Sequence, residues 1–132
     1  MAGTDKTQTS ITGGPAVILV EPQLGENIGF AARAMMNGGL SDLRIVNPRD
    51  GWPNPRAIAV ASGAGDIIEA ARVFESTVDA VADLTRVFAM TARPRDMIVT
   101  VATPRNAAAE MRSLVAGSVD IGILFGPERK GL

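Results

Sequence analysis

Three clusters of chemistry-bearing residues each follow an apolar run rich in β-formers. Glu21, Asn27 and Arg33 come after Ala16-Val17-Ile18-Leu19-Val20, and Thr91-Ala92-Arg93-Pro94-Arg95 comes after Arg86-Val87-Phe88-Ala89-Met90. Phe125-Gly126-Pro127-Glu128-Arg129-Lys130-Gly131-Leu132 comes after Val119-Asp120-Ile121-Gly122-Ile123-Leu124. A strand that runs into Gly-Pro-Glu sets a turn, a carboxylate and two cations at its carboxyl end. That is the edge at which open α/β sheets bind ligands. The chain has no histidine, cysteine or tyrosine. The usual base near neutral pH, disulfides, thiolate catalysis and cysteine-zinc sites are thereby excluded. Acid–base chemistry within this segment falls to Asp, Glu, Lys, Arg or a group on the substrate.

Each cluster also has a plain structural reading. Gly25-Glu26-Asn27-Ile28-Gly29 has the wrong spacing for a dinucleotide fingerprint and lacks the Lys-Ser/Thr of a P-loop. A helix amino terminus there could receive an anion, or Glu26 or Asn27 could cap it. Arg33, a lone arginine on an amphipathic helix, reads first as a surface residue, with a functional cation the alternative. Glu128 could be a base, a cap, or a surface carboxylate paired with Arg129 or Lys130. Trp52, in a proline-rich loop, could stack on a base or pack onto the domain. Met35, Met36 and Met90 read as core filler rather than a cofactor box.

The elements that must position these residues follow from pattern. The continuous apolar run Ala16–Val20 reads as a buried strand, with further strands at Leu43–Val46, Arg86–Met90 and residues 120–125 and a short extended piece at residues 73–74. Between them lie helices over residues 27–37, 56–62, 77–84 and 104–116, and a short one to residue 71 with Asp66 as its cap. Ile28, Ala31, Ala32, Met35 and Met36 supply the apolar face of the first, and Thr103 with Pro104 opens the last. Strands alternating with helices predict an α/β domain with a mainly parallel sheet flanked by helices. Residues 1–14 read as a disordered tail and 15–132 as one domain.

No apolar stretch reaches the roughly 18–20 residues of a membrane span, and the first residues lack a signal-peptide core, which predicts a cytoplasmic setting. The net charge of −1 is unevenly spread. Arg33, Arg49, Arg56, Arg93, Arg95, Arg105, Arg129 and Lys130 stand against Glu21, Glu26, Asp50, Asp96 and Glu128 in the first helix and the strand-end loops, a net +3 there and −4 elsewhere. Such an edge could hold a polyanion.

Taken together the motifs resemble the SpoU/TrmH branch of the SPOUT RNA methyltransferases, and most closely its TrmJ group. One family motif resembles Asn27-Ile28-Gly29-Phe30-Ala31-Ala32-Arg33-Ala34-Met35, continuing through Gly39-Leu40 to Val46-Asn47-Pro48. Another is similar to Leu124-Phe125-Gly126-Pro127-Glu128-Arg129-Lys130-Gly131-Leu132. Ala57-Ile58-Ala59-Val60-Ala61-Ser62-Gly63-Ala64 and the Thr91-Ala92-Arg93-Pro94-Arg95 loop are similar to the TrmJ group in particular.

The resemblance implies a SPOUT α/β-knot fold and methyl transfer from S-adenosylmethionine to a ribose 2′-hydroxyl of RNA. The implied substrate is tRNA at anticodon-loop position 32, with rRNA the alternative. It implies a homodimer, no metal and no membrane. By the same resemblance Arg33, Asn27 and Glu128 are the catalytic set. Thr91, Ala92, Arg93, Phe125, Gly126, Pro127, Gly131 and Leu132 line the cofactor side. Arg33, Arg93, Arg95, Arg129 and Lys130 meet the RNA. The family's third motif, which forms the knot, is expected beyond Leu132. The domain therefore reads as incomplete at its carboxyl end and as inactive by itself. Two other classes stay open: a nucleotide-binding oxidoreductase, against which the missing glycine fingerprint counts, and a non-catalytic RNA-binding or assembly domain.

Overall fold

The computed structural model describes residues 14–90 and 103–128. The expectations for the amino-terminal tail, for Thr91, Ala92, Arg93 and Arg95, and for Arg129, Lys130, Gly131 and Leu132 lie outside the described residues. Among the described residues five strands form one sheet: β1 (Ala16–Val20), β2 (Leu43–Val46), β3 (Arg72–Phe74), β4 (Arg86–Met90) and β5 (Ile121–Phe125). Their order is β3-β2-β1-β5-β4, and every neighbouring pair is parallel. The helices are α1 (Gly25–Asn37), α2 (Pro55–Val60), α3 (Gly65–Ala70), α4 (Thr77–Ala80) and α5 (Pro104–Ala116), with a 3-10 turn at Ser62–Ala64.

The strand alternation sorts the core into two layers. Val17, Leu43 and Ile45 face α1, α2 and α3, where Ile28, Ala32, Met35, Ala57, Ala61, Ala64, Ile67 and Ile68 close over them. Ile18 and Val46 face the other way, against Ala80 of α4, with Val81, Leu84 and Leu124 around them. Helix α1 lies close against α2 because small residues line that seam. A Cβ on Gly29 would stand 2.3 Å from Val60 Cγ2 and 2.5 Å from the Ala57 carbonyl oxygen. Trp52 packs against the α1 layer.

Several local expectations change. Helix α2 stops at Val60, and the glycines after it sit in or beside a 3-10 turn rather than in a plain break. Asn54, not foreseen as a cap, accepts from the Arg56 amide at 2.9 Å. Asp66 lies inside the first turn of α3 and makes no cap hydrogen bond. Helix α4 ends at Ala80 instead of residue 84, because Leu84 turns into the core and the Thr85 amide pairs with the Asp120 carbonyl at 2.8 Å to start β4. Met36 and Met90 are exposed, the first on the rim of α1 and the second on an edge strand, so neither fills the core. Helix α5 holds its predicted bounds, with Thr103 Oγ1 accepting from the Asn106 amide at 3.1 Å.

One charged residue sits in the core. Arg44 of β2 is 3% exposed and makes five hydrogen bonds. Its Nε and Nη2 donate to Asp42 at 3.2 and 2.8 Å, and Nη1 and Nη2 donate to Asp83 at 2.6 and 3.3 Å. Nη1 also donates to the Ala80 carbonyl at 2.7 Å. Burial works against the Arg44 charge, but these partners outweigh it and raise the pKa further. The guanidinium thereby ties the end of α4 to the sheet.

Candidate active site

Strands β1 and β5 are neighbours in register, with Leu19 opposite Phe125, so the loops that leave them emerge side by side. The first amides of any helix lack intrahelical acceptors and need an outside partner. At α1 that partner is neither Glu26 nor Asn27, as the local pattern suggested. The residue at the N-cap position is Leu24, which has no capping side chain. Glu128, from far along the chain, accepts from the N-cap amide of Leu24 and from the residue before it rather than from the helix interior. Its Oε1 accepts from the Gln23 amide at 2.9 Å, and its Oε2 accepts from the Leu24 amide at 2.9 Å and from Asn27 Nδ2 at 3.0 Å. One carboxylate thus joins the two motifs.

This seat decides what Glu128 can do. Partial burial pushes its carboxyl up, but the amides of Leu24 and Gln23 and the Asn27 side chain outweigh it and hold the pKa below the ordinary glutamate value. Hydrogen bonds to the charged form stabilise that form. Glu128 is therefore ionised near neutral pH and too weak a base to take a proton from a hydroxyl. It acts as an anchor for the amino end of α1, where a negative charge also complements the helix dipole.

Arg33 stands apart from that pair. It is exposed and makes no hydrogen bond or ion pair among the described residues. Six residues of helix set it about 9 Å along the axis and about 120° around it from Asn27. The structure thus brings Asn27 and Glu128 together and leaves Arg33 on a different face of the same helix. Glu26 lies on that face one heptad earlier and pairs with Arg56 at 3.3 Å. Arg49 pairs with Asp50 at 3.1 Å. Two cations of the expected positive edge are therefore already partnered, while Arg33 and Arg105 have no partner among the described residues.

Phe125, Gly126 and Pro127 lie between β5 and Glu128. Phe125 and Gly126 line an apolar cavity of about 600 Å³ that reaches Asn27 and Glu128, walled by Leu19, Ile28 and Phe30. Its size and lining are those of a small-molecule site. Among the described residues no group of three or more His, Cys, Asp or Glu side chains is placed to hold a metal ion. No helix there is long and apolar enough to cross a membrane.

The residues that sequence reasoning missed are the amide donors of Gln23 and Leu24. Their role has no local signal, since the acceptor arrives from 104 and 105 residues away.

Known proteins are similar to this chain. The family model described as the SpoU rRNA Methylase family matches residues 14–132. The tRNA (cytidine/uridine/adenosine-2'-O-)-methyltransferase TrmJ of Pseudomonas aeruginosa is 38% identical over 116 residues, 88% of this chain and 45% of that protein. A crystal structure of TrmJ from Z. mobilis superposes with a TM-score of 0.84 at 56% identity, over 89% of this chain and 51% of that one. A probable methyltransferase from Bordetella pertussis superposes with a TM-score of 0.81 at 33% identity, over 97% of this chain and 75% of that one. The chain spans about half the length of the curated relatives it matches. With the model covering nearly every residue and both motifs meeting at one carboxylate, the chain belongs to the SpoU methylase family.

Proposed function

We propose that this domain transfers the methyl group of S-adenosylmethionine to a ribose 2′-hydroxyl of RNA, with tRNA as the substrate. The observation that carries the reading is the Glu128 carboxylate seated on Gln23, Leu24 and Asn27, which binds one motif to the other at a ligand-binding sheet edge. Relatives named as tRNA 2'-O-methyltransferases favour tRNA over rRNA.

When bound, S-adenosylmethionine supplies a sulfonium methyl open to in-line attack by an oxygen. Phe125, Gly126 and Pro127 would hold it, together with Thr91, Ala92, Arg93, Gly131 and Leu132. A partly exposed aromatic ring beside a residue without a side chain suits an adenosyl group. The chain's own residues contribute position and charge. Glu128 and Asn27 fix the amino end of α1, and the rigid helix carries Arg33 at a set distance from them. A guanidinium holds its proton too tightly to act as a base. Arg33 therefore clamps a phosphate or orients the hydroxyl, whose proton leaves to phosphate or water. Arg93, Arg95, Arg129 and Lys130 extend the phosphate contacts. The displacement needs no metal, and the working form is a cytoplasmic homodimer.

The test is methyl transfer from tritiated S-adenosylmethionine to unmodified tRNA and rRNA transcripts. The expected product is label in tRNA within a dinucleotide that resists alkali, the mark of a blocked 2′-oxygen. Label confined to bases or to rRNA contradicts the reading.

A further inference from the structure

A smaller cavity, of about 260 Å³, opens at the same sheet edge and is lined by Glu21, Gln23, Asn47, Arg49 and Pro127. It falls below the roughly 300–1,000 Å³ of sites for drug-sized ligands, which suits a single ring system rather than a whole cofactor. Its lining is unlike that of the apolar cavity: one carboxylate, two amides and one guanidinium.

The walls are set by the ends of three strands. Glu21 follows β1, Asn47 and Arg49 follow β2, and Pro127 follows β5. Glu21 and Asn47 hold left-handed backbone conformations, with φ of 49° and 45°. Both are pinned there. The Glu21 amide donates to the Val46 carbonyl at 2.8 Å, the Asn47 amide to the Phe74 carbonyl at 2.9 Å, and the Arg49 amide to the Pro22 carbonyl at 3.0 Å. Two of the four non-glycine residues with left-handed backbone among the described residues thus lie on this rim, where sheet hydrogen bonds offset the strain.

The side chains are nonetheless free to act on a ligand. Those of Glu21, Gln23 and Asn47 make no hydrogen bond among the described residues. Among the described residues the Arg49 side chain makes one ion pair, the exposed one with Asp50, and such pairs exchange at little cost. A carboxylate in the lining disfavours a phosphate. Carboxylate, amide and guanidinium groups together match the donor and acceptor edges of a nucleobase. The pocket also shares Gln23 and Pro127 with the loops that seat Glu128, so its occupant lies beside the candidate active site.

We propose that this pocket receives the base of the nucleotide whose ribose is methylated, with Glu21, Asn47 and Arg49 reading its edge. The proposal rests on the RNA methylation reading above and adds a base-specificity site to it.

The experiment uses anticodon stem-loop RNAs with C, U, A or G at position 32, and one abasic there. Glu21→Gln and Asn47→Asp are compared with wild type; both keep side-chain size, and Asp tolerates the left-handed backbone at residue 47. Methyl-transfer kcat/KM across the four bases should shift its ratios by at least about fivefold in each variant, the worth of one base-edge contact. In an anisotropy titration, wild type should bind the abasic RNA more weakly than the base-bearing one, and the variants should show a smaller difference. Unchanged ratios in both variants, or equal wild-type affinity for abasic and base-bearing RNA, overturns the pocket assignment. If no RNA is methylated but the base-dependent affinity persists and responds to the variants, the methylation reading fails and the pocket stands.

Discussion

Carboxylates are held ionised around Arg44 and around Glu128 by different means. Around Arg44 the work is done by a buried guanidinium with all five of its N–H groups committed to Asp42, Asp83 and the Ala80 carbonyl. For Asp83 the Arg44 hydrogen bond is the main cause that lowers its pKa; for Asp42 burial opposes, and Arg44 with Arg72 prevails. Around Glu128 the work is done by neutral amides at the start of a helix, with no cation in contact among the described residues. The Arg44 cluster is saturated, so it can only hold structure. The Glu128 seat leaves Arg33, at the strand-end edge, free to meet something else. Where donors are exhausted the fold is being fastened; where a charge is left over a ligand is expected.

Removing the guanidinium should break the first region most severely. We expect Arg44→Met to cost about 2–4 kcal/mol of stability, read from urea unfolding. The lower part of the range for a broken buried pair applies because Asp42 and Asp83 are 38% and 62% exposed and water can take over their charges. An unchanged unfolding midpoint would mean that the cluster fastens nothing.

Arg33→Ala should do the reverse. Its side chain is exposed, so stability should stay within about 0.5 kcal/mol. Methyl transfer should fall at least about a hundredfold, the usual cost of losing a positioned transition-state contact. Calorimetric titration with S-adenosylmethionine should show binding nearly intact. Turnover equal to wild type would remove Arg33 from the catalytic set.

How much is legible in the sequence differs between the same two regions. The apolar run that becomes β1 can be read directly because a parallel strand buried among helices needs an unbroken β-rich segment. Thr103 and Pro104 announce α5 for an equally local reason, a cap and a φ already set for a helix. What escapes is non-local. Arg44 looks like any interruption of a strand until Asp83 arrives from 39 residues away. Leu24 is a poor cap by type, and its amide finds an acceptor only when the chain returns at Glu128. Gly25 and Gly29 have no ligand fingerprint in their spacing, and an added Cβ on them would meet Asn54, Ala57 and Val60 across the helix seam. Family resemblance pairs Asn27 with Glu128, and their hydrogen bond is present. The same resemblance groups Arg33 with them, six residues further along the same helix.

A smaller effect separates the anchor from its charge. Glu128→Gln keeps one acceptor oxygen but loses the negative charge at the start of α1, which should cost about 1 kcal/mol. The sign with pH follows from the depressed folded-state pKa. The unfolded chain takes up its proton first as the pH falls, so the Glu128 contribution is complete above the ordinary carboxylate range and is lost as pH drops through the folded value. The stability gap between wild type and Glu128→Gln should therefore be widest near neutral pH and close in acid, as measured by urea titrations at stepped pH. A gap that widens in acid would reverse the assignment of Glu128 as an ionised anchor.

The pH dependence of methyl transfer tests most directly whether Glu128 positions α1 or moves a proton. The rate constant should be measured from about pH 5.5 to 9 in wild type and Glu128→Gln. An anchor predicts profiles of the same shape, with the variant lowered by a constant factor across the range. A wild-type limb with an apparent pKa near neutrality that disappears in Glu128→Gln would contradict the account and make this carboxylate the base.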